Sequence, residues 1–133
     1  MDHEDALFQA SPGDHRAMDF SGTWDNGGGS VLQLRQSAGK LTGVCFSHMG
    51  SNSTLGDVHG YADGDLVAFV VQWRGLRAIS TWVGQLEPAV EPRRIRASWQ
   101  MVAGGADPAM QVGSDSFTKT GDSTPGLARR EPI

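Results

Sequence analysis

Short stretches that alternate apolar and polar residues recur between positions 20 and 120, and each is followed by residues typical of turns. In one of them, Phe69, Val71 and Trp73 fall on the same face. Alternation with a period of two residues predicts β-strands, and no window shows a helical period longer than two turns. The eight predicted strands are residues 20–25, 30–36, 40–47, 58–62, 65–73, 78–86, 94–102 and 114–120.

The spacing of these strands predicts how they pair. Most connections are short, as at the glycines 27–29, and short connections join antiparallel neighbours. One longer loop, rich in Ser, Asn and Gly, is predicted at residues 49–56. The predicted fold is therefore all-β, an eight-stranded antiparallel up-and-down β-barrel, which has no exposed strand edges. Such a barrel holds filling side chains or one small ligand.

The length of the chain indicates one domain, and the composition of its two ends indicates an arm on each side of it. Residues 1–19 are interpreted as a flexible N-terminal arm, residues 20–120 as the barrel and residues 121–133 as a C-terminal tail.

The net charge of −4 argues against a nucleic-acid-binding protein. The longest apolar run, residues 66–71, is too short to cross a membrane as a helix. Residues 1–5 show no basic or apolar region of a signal peptide.

No motif typical of an enzyme or a metal site is present in the sequence. The four histidines, His3, His15, His48 and His59, do not have the spacing of metal ligands. The single cysteine, Cys45, excludes an internal disulfide, and a strand places it and His48 on opposite faces. We therefore expect no catalysis, no metal and no cofactor.

Tryptophans stand beside small polar residues in several of the predicted strands. Trp24 precedes Asn26 and Ser30, and Ser80 shares a strand face with Trp82. Inward tryptophans can form the rigid walls of a cavity, while inward polar groups must be hydrogen-bonded. Two interpretations stay open: the tryptophans fill a core in which polar groups pair locally, or they line a pocket for a small ligand.

Six segments, in order, resemble the avidin–streptavidin family, and each lies on a predicted strand. They are Gly22-Thr23-Trp24-Asp25-Asn26 with Ser30; Leu41-Thr42-Gly43 with Ser47 and Gly50; residues 65–73; residues 80–85; Ile95 with Trp99; and residues 113–119. The resemblance implies an avidin-like barrel that binds biotin without turnover, so that biotin is a ligand and not a cofactor.

The resemblance assigns roles in recognising the urea group of biotin. An Asn, a Ser and a Tyr donate hydrogen bonds to the urea oxygen in this family, and these roles fall on Asn26, Ser30 and position 45. The acceptors for the urea N–H groups fall on Asp115 and Ser47. A carboxylate acceptor polarises the urea through charge-assisted hydrogen bonds.

The walls and rim of the pocket are also implied by the resemblance. Ser80 corresponds to a hydroxyl near the thioether sulfur, and Trp24 is expected to be structural. A loop that begins at residues 49–51 is expected to close over the valerate, where a backbone N–H holds its carboxylate. The remaining implied pocket residues are Met49, Gly50, Ser51, Phe69, Trp73, Ala78, Trp82 and Trp99.

Two of these positions depart from the family pattern. Cys45 replaces the Tyr donor, and a thiol is a weak donor. Ala78 replaces a Ser that binds the valerate carboxylate. Loss of one donor to a partly charged oxygen costs about 1–3 kcal/mol, or roughly 10- to 100-fold in affinity. The two changes argue against extreme affinity but not against binding.

The assembly is predicted from a missing tryptophan. Tetrameric members place a neighbour's Trp over the ligand, and none occurs at residues 104–112. The chain resembles the short, dimeric bacterial members, which implies a homodimer and a secreted or periplasmic location. Residues 121–133 are either a solvated tail or, as in some bacterial members, a segment that docks near a neighbour's biotin site and builds a larger homo-oligomer.

Two alternatives remain beside biotin binding. Gly22-Thr23-Trp24 also resembles the Gly-x-Trp opening of lipocalins, which carry other small apolar ligands. That alternative does not account for Asn26 and Asp115. The other alternative is an avidin fold whose biotin binding is weakened because of Cys45 and Ala78.

Overall fold

The alternating segments form strands in the computed structural model, which describes residues 1–13, 18–88, 90–105 and 109–122. One helix, α1, precedes the strands. The elements are α1 His3–Phe8, β1 Gly22–Asp25, β2 Ser30–Ser37, β3 Lys40–Met49, β4 Asn52–Asp63, β5 Leu66–Trp73, β6 Ala78–Leu86, β7 Arg94–Ala103 and β8 Ala109–Gly121.

Each strand pairs with its neighbour in sequence, and β1 pairs antiparallel with β8. The sheet is therefore a closed barrel, and the predicted all-β architecture is confirmed. The β1–β8 register shifts between Thr23 and Trp24, which increases the local twist where the barrel closes.

The predicted loop at residues 49–56 is wrong. β3 and β4 continue to a hairpin turn at Gly50 and Ser51, and Met49 pairs directly with Asn52. Gly50 supplies the positive φ, 60°, that the turn requires. The Ser- and Asn-rich composition suggested a loop, but pairing with β3 extends the strand despite weak intrinsic propensity.

Helix α1 lies in the arm that precedes the barrel. Asp2 caps it, because its side chain accepts a hydrogen bond from the Asp5 N–H at 2.8 Å. The sequence did not predict this helix, since six residues are too few to show a helical period. The predicted tail at residues 121–133 lies outside the described residues beyond Asp122, so its docking stays a prediction.

Alternate residues of each strand point into the barrel. On β5, for example, Val67, Phe69, Val71 and Trp73 are buried while Leu66 is exposed. The apolar core comprises Phe20, Trp24, Leu32, Leu34, Leu41, Cys45, Val58, Ala62, Val67, Phe69, Val71, Trp73, Trp82, Leu86, Ile95 and Phe117.

The segment before β1 packs against the core at one end of the barrel. The indole of Trp24 donates to the Phe20 carbonyl at 3.0 Å, and the two rings pack with centroids 6.2 Å apart. The Gln36 side chain accepts from the Phe20 N–H at 2.9 Å and donates to the Met18 carbonyl at 2.7 Å. These contacts support the expected structural role of Trp24.

The turns after β1, β3 and β5 lie at the opposite end of the barrel, because consecutive strands run antiparallel. We call this the open end.

Within the described part of the chain, no helix has the length and apolar character needed to cross a membrane.

We predict that Phe20→Ala destabilises the barrel by about 3–5 kcal/mol, because the substitution leaves a cavity in a close-packed core. Phe20 is 1% exposed, whereas Phe8 of α1 is 91% exposed. Phe8→Ala is therefore the matched control, with an expected change below about 0.5 kcal/mol. Urea unfolding followed by tryptophan fluorescence measures both. Equal effects of the two substitutions would contradict this packing.

Candidate functional site

A polar network lies inside the barrel, and Asn26 is its first member. The Asn26 side-chain oxygen accepts from the Gly28 N–H at 2.8 Å and from the Ser30 N–H at 2.9 Å. Its amide nitrogen donates to the Asp115 carboxylate at 3.1 and 3.3 Å. These bonds fix both the oxygen and the nitrogen of the Asn26 amide, and one hydrogen on the nitrogen remains for a further acceptor.

Asp115 of β8 joins three parts of the chain. Its Oδ2 accepts from the Asn26 amide and from the Trp82 indole N–H, the latter at 3.1 Å. Ala97 stands opposite it on β7. None of the ion pairs between described residues includes this carboxylate. Asp115 is therefore held by neutral donors and keeps acceptor capacity for a ligand.

Two serines and the cysteine lie side by side on β2 and β3. Ser30 pairs in register with Ser47, and their hydroxyl oxygens are 2.7 Å apart. Cys45 lies two residues before Ser47, on the same inward face, and is fully buried. Burial raises the pKa of the Cys45 thiol to about 12, the Ser47 hydroxyl opposes this change, and the charge of Asp115 adds to it. The thiol is therefore protonated at neutral pH.

Aromatic rings form the wall of the barrel beside this network. Phe69 stacks on Trp82 with centroids 5.4 Å apart, and Trp99 stands opposite Trp82 on β7. The Trp73 indole N–H donates to the Ser80 hydroxyl oxygen at 2.9 Å. Ser80 is buried, and its hydroxyl hydrogen remains free to donate.

The predicted rim residues lie at the open end. Ala78 begins β6 and is half-buried against the core. Met49 is 81% exposed, and Gly50 and Ser51 form the tip of the β3–β4 hairpin. The structure therefore brings together the residues predicted to bind a urea and those predicted to form the walls, whereas it does not bring residues 49–51 over them.

Three wall residues were not singled out from the sequence. The Phe117 ring stands edge-on to Trp82 and Phe69, with centroids 5.9 and 6.2 Å away. Phe117 follows Asp115 by two residues, so strand alternation was the signal that could have found it. Gly113 lies under the Trp99 ring and Ala97 packs against the core, and the space left by a small residue gives no signal in a single sequence.

The polar side chains of the site each have a hydrogen-bond partner within the protein. Across the described ranges, no buried side-chain nitrogen or oxygen lacks a hydrogen-bond partner. The same residues contain no group of three or more His, Cys, Asp or Glu that could hold a metal ion. Cys45 is buried and His48 exposed on opposite faces of β3, as predicted. The site is thus a preorganised set of neutral donors and one carboxylate beside aromatic walls.

A closed eight-stranded antiparallel barrel in which each strand pairs with its neighbour in sequence defines a structural class of protein, and comparison with known proteins specifies the family. The sequence profile of the Avidin family matches residues 14–120. The chain therefore belongs to the avidin family. A search among curated protein sequences finds no significant match.

Solved structures of bacterial avidins share the fold. The rhizavidin–biotin complex superposes with a TM-score of 0.66 at 24% identity, covering 75% of this chain and 99% of that chain. Xenavidin gives a TM-score of 0.68 at 21% identity, covering 79% and 100%. A shwanavidin variant in complex with biotin gives 0.66 at 23% identity, covering 78% and 100%. At these identities the similarity establishes the avidin fold.

We predict that Cys45 reacts slowly with thiol reagents in the folded protein. With a pKa of about 12 instead of 9.0, its thiolate fraction at pH 8 is lower by about a thousandfold. The rate of reaction with Ellman's reagent, measured folded and in guanidinium chloride, is expected to differ by more than about a hundredfold. Similar rates in the two states would show that the thiol is not buried.

The same pKa difference makes stability depend on pH. Above pH 9 the unfolded chain releases the thiol proton while the folded chain retains it. The contribution of Cys45 to the free energy of unfolding therefore falls as pH rises from 9 to about 12. Cys45→Ala is expected to remove this part of the alkaline slope, which urea unfolding at a series of pH values measures.

Proposed function

We propose that this protein binds biotin in the open end of its barrel and does not catalyse a reaction. The observation that carries the proposal is the connected set of Asn26, Asp115, Ser30 and Ser47 on one inward surface. These groups offer donors beside acceptors, which is the pattern that a cyclic urea requires. Family membership and the biotin held by similar folds support the same ligand.

The hydrogen-bond capacities define how the urea is recognised. The remaining Asn26 amide hydrogen and the Ser30 hydroxyl donate to the urea oxygen, while Asp115 and Ser47 accept from the two urea N–H groups. Since Ser30 and Ser47 are bonded to each other, only one direction of donation serves both roles: Ser47 donates to Ser30, and Ser30 donates to the ligand. The pair thereby links the two sides of the urea in one hydrogen-bonded circuit.

The aromatic wall fixes the bicyclic ring. Trp82, Trp73 and Trp99, with Phe69 behind Trp82, offer flat apolar surfaces that bury the ring system. The indole of Trp73 occupies a lone pair of the Ser80 oxygen, so the Ser80 hydrogen points elsewhere and donates to the thioether sulfur. Trp73 thus orients Ser80.

The valerate chain of the bound biotin extends through the open end of the barrel. Its carboxylate lies near the β3–β4 hairpin of Met49, Gly50 and Ser51, where a backbone N–H holds it. Ala78 offers no hydroxyl there. Closing of this hairpin over the valerate is part of the proposal, since its tip is exposed in the structure.

Weakened biotin binding is the second candidate, and Cys45 is the observation that favours it. Its thiol lies on the inward face two residues from Ser47 and donates only weakly to an oxygen. In addition, the polar groups satisfy one another without a ligand. Both features reduce the gain in hydrogen bonding when a urea binds.

We further propose that two copies associate as a homodimer in a secreted or periplasmic location, with no nucleic-acid or membrane partner. Ile79, Val83, Val102 and Met110 on the outer faces of β6, β7 and β8 are exposed, and apolar side chains in such numbers are typical of an interface. The same proposal includes a higher homo-oligomer that forms through residues 121–133.

We predict that Asp115→Ala lowers biotin affinity by about 10- to 100-fold, the effect of losing a hydrogen bond to a charged group. The substitution removes the acceptor for the ligand and the anchor of Asn26 and Trp82. Asp65→Ala is the matched control, because the Asp65 side chain accepts a hydrogen bond from Gln85 at 2.9 Å in an exposed position, and the substitution keeps its backbone bond to Leu86. Isothermal calorimetry measures both variants, and an unchanged affinity in Asp115→Ala would exclude the proposed urea site.

We predict that Cys45→Tyr raises biotin affinity by about tenfold or more, since a phenol donates a stronger hydrogen bond than a thiol. The effect requires position 45 to lie beside the urea oxygen. Cys45→Phe, which adds the ring without the hydroxyl, separates the donor from the added bulk. If Tyr and Phe give the same affinity, the hydroxyl does not reach the ligand and the assignment of position 45 is wrong.

A further inference from the structure

Two inward tryptophans each face a glycine directly across the sheet. Trp99 of β7 stands opposite Gly113 of β8, and Trp73 of β5 stands opposite Gly56 of β4. In both pairs the indole covers the glycine. The rings therefore lie along the barrel wall instead of projecting across the interior.

The contact at Gly113 depends on the absence of a side chain. A Cβ built on Gly113 would lie 2.6 Å from Cε2, Cζ2 and Nε1 of the Trp99 ring. Protein Cβ atoms essentially never approach other heavy atoms within 3.0 Å, so any larger residue displaces the indole. At Gly56 the corresponding distances to Cε3 and Cζ3 of Trp73 are 2.9 and 3.2 Å.

Backbone conformation does not explain these two glycines. Neither has a φ in the left-handed region, in contrast to Gly50 of the β3–β4 turn. An alanine can adopt the backbone of Gly113 without strain, so the glycine is required for space alone. Gly56 is less suitable as a test, because the Val71 side chain also occupies the space beside it.

We expect a displaced Trp99 ring to move inward, because its neighbours in the sheet occupy both of its flanks. Strand β8 lies beneath the Trp99 indole on one flank, and Trp82 of the neighbouring strand β6 stands opposite Trp99 on the other flank. A methyl group beneath the indole therefore lifts it away from the wall, toward the interior that Phe69, Trp82 and Asp115 border. The space available to a ligand becomes narrower at the level of its ring.

We propose that Gly113 is a positioning residue that sets the width of the pocket, because it lets the Trp99 indole lie flat on β8. This inference rests on the proposed function and specifies its ligand class: a fused bicyclic ring system, wider than a single five-membered urea ring. Gly113 touches no ligand in this proposal and acts through Trp99.

The test compares two ligands in Gly113→Ala. Biotin carries the fused thioether ring, and desthiobiotin retains the urea ring but lacks the second ring. We expect Gly113→Ala to lower biotin affinity by about tenfold or more, as overpacking does, and desthiobiotin affinity by less than about threefold. The ratio of the two dissociation constants, measured by calorimetry, therefore changes, whereas a general loss of stability lowers both affinities alike.

Two further variants complete the test. Gly121→Ala is the matched control on the same strand, since its Cβ would meet Thr23 at an ordinary 3.5 Å, and its ratio should equal that of the wild type. In the double variant Trp99→Phe/Gly113→Ala, the smaller phenylalanine ring leaves room above the new methyl group. Gly113→Ala should therefore lower biotin affinity by a smaller factor in the Trp99→Phe background than in the wild type. This double variant also provides a folded protein if Gly113→Ala does not fold.

The outcomes separate this inference from the proposed function. If the wild type binds neither ligand, the proposed function fails. Two outcomes leave the proposed function standing and refute the role of Gly113, provided that the wild type binds biotin. In the first, Gly113→Ala leaves the ratio of the biotin and desthiobiotin dissociation constants unchanged. In the second, Gly113→Ala lowers biotin affinity by the same factor with Trp or with Phe at position 99.

Discussion

Pairing of β1 with β8 closes the barrel, and the geometry of the interior depends on this closure. The pairing is short, since β1 has only four residues and its register shifts at Trp24. Two side-chain links add to it: the Thr120 hydroxyl of β8 donates to the Thr23 carbonyl at 3.4 Å, and Asn26 bonds to Asp115 of β8. The second link is also the centre of the candidate site. Closure of the fold and formation of the candidate site are therefore one structural event.

Asp115 connects the polar and the aromatic halves of the site. Its carboxylate fixes the Asn26 amide on one side and the Trp82 indole on the other. The donors are thereby oriented before a ligand arrives, which lowers the entropy cost of binding. These groups already use part of their hydrogen-bonding capacity on each other, which limits what a ligand gains. A ligand gains from the remaining capacity of each group, and Cys45 supplies little of it.

The strands and their order could be predicted from alternation and turn residues, because one buried face per strand imposes a period of two. The β3–β4 hairpin could not, since its polar composition resembles a loop and pairing with β3 decides its conformation. Helix α1 was too short to predict. At the site, Asn26, Asp115, Ser30 and Ser47 were identified by resemblance, and the structure places them in contact.

Contacts that depend on cross-strand register could not be predicted from one sequence. The bond from Trp82 to Asp115 joins β6 to β8, which are not adjacent strands. The fit of Trp99 over Gly113 depends on the absence of a side chain, and a glycine in a strand gives no indication of what covers it. Such pairs emerge only when the register of each strand is known.

Titration of the wild-type protein with biotin by isothermal calorimetry tests the central claim most directly, with desthiobiotin as the second ligand. The account predicts saturation at one biotin per chain, with biotin bound more tightly than desthiobiotin. Absence of heat, together with no competition at millimolar biotin, would contradict the claim that this barrel binds biotin.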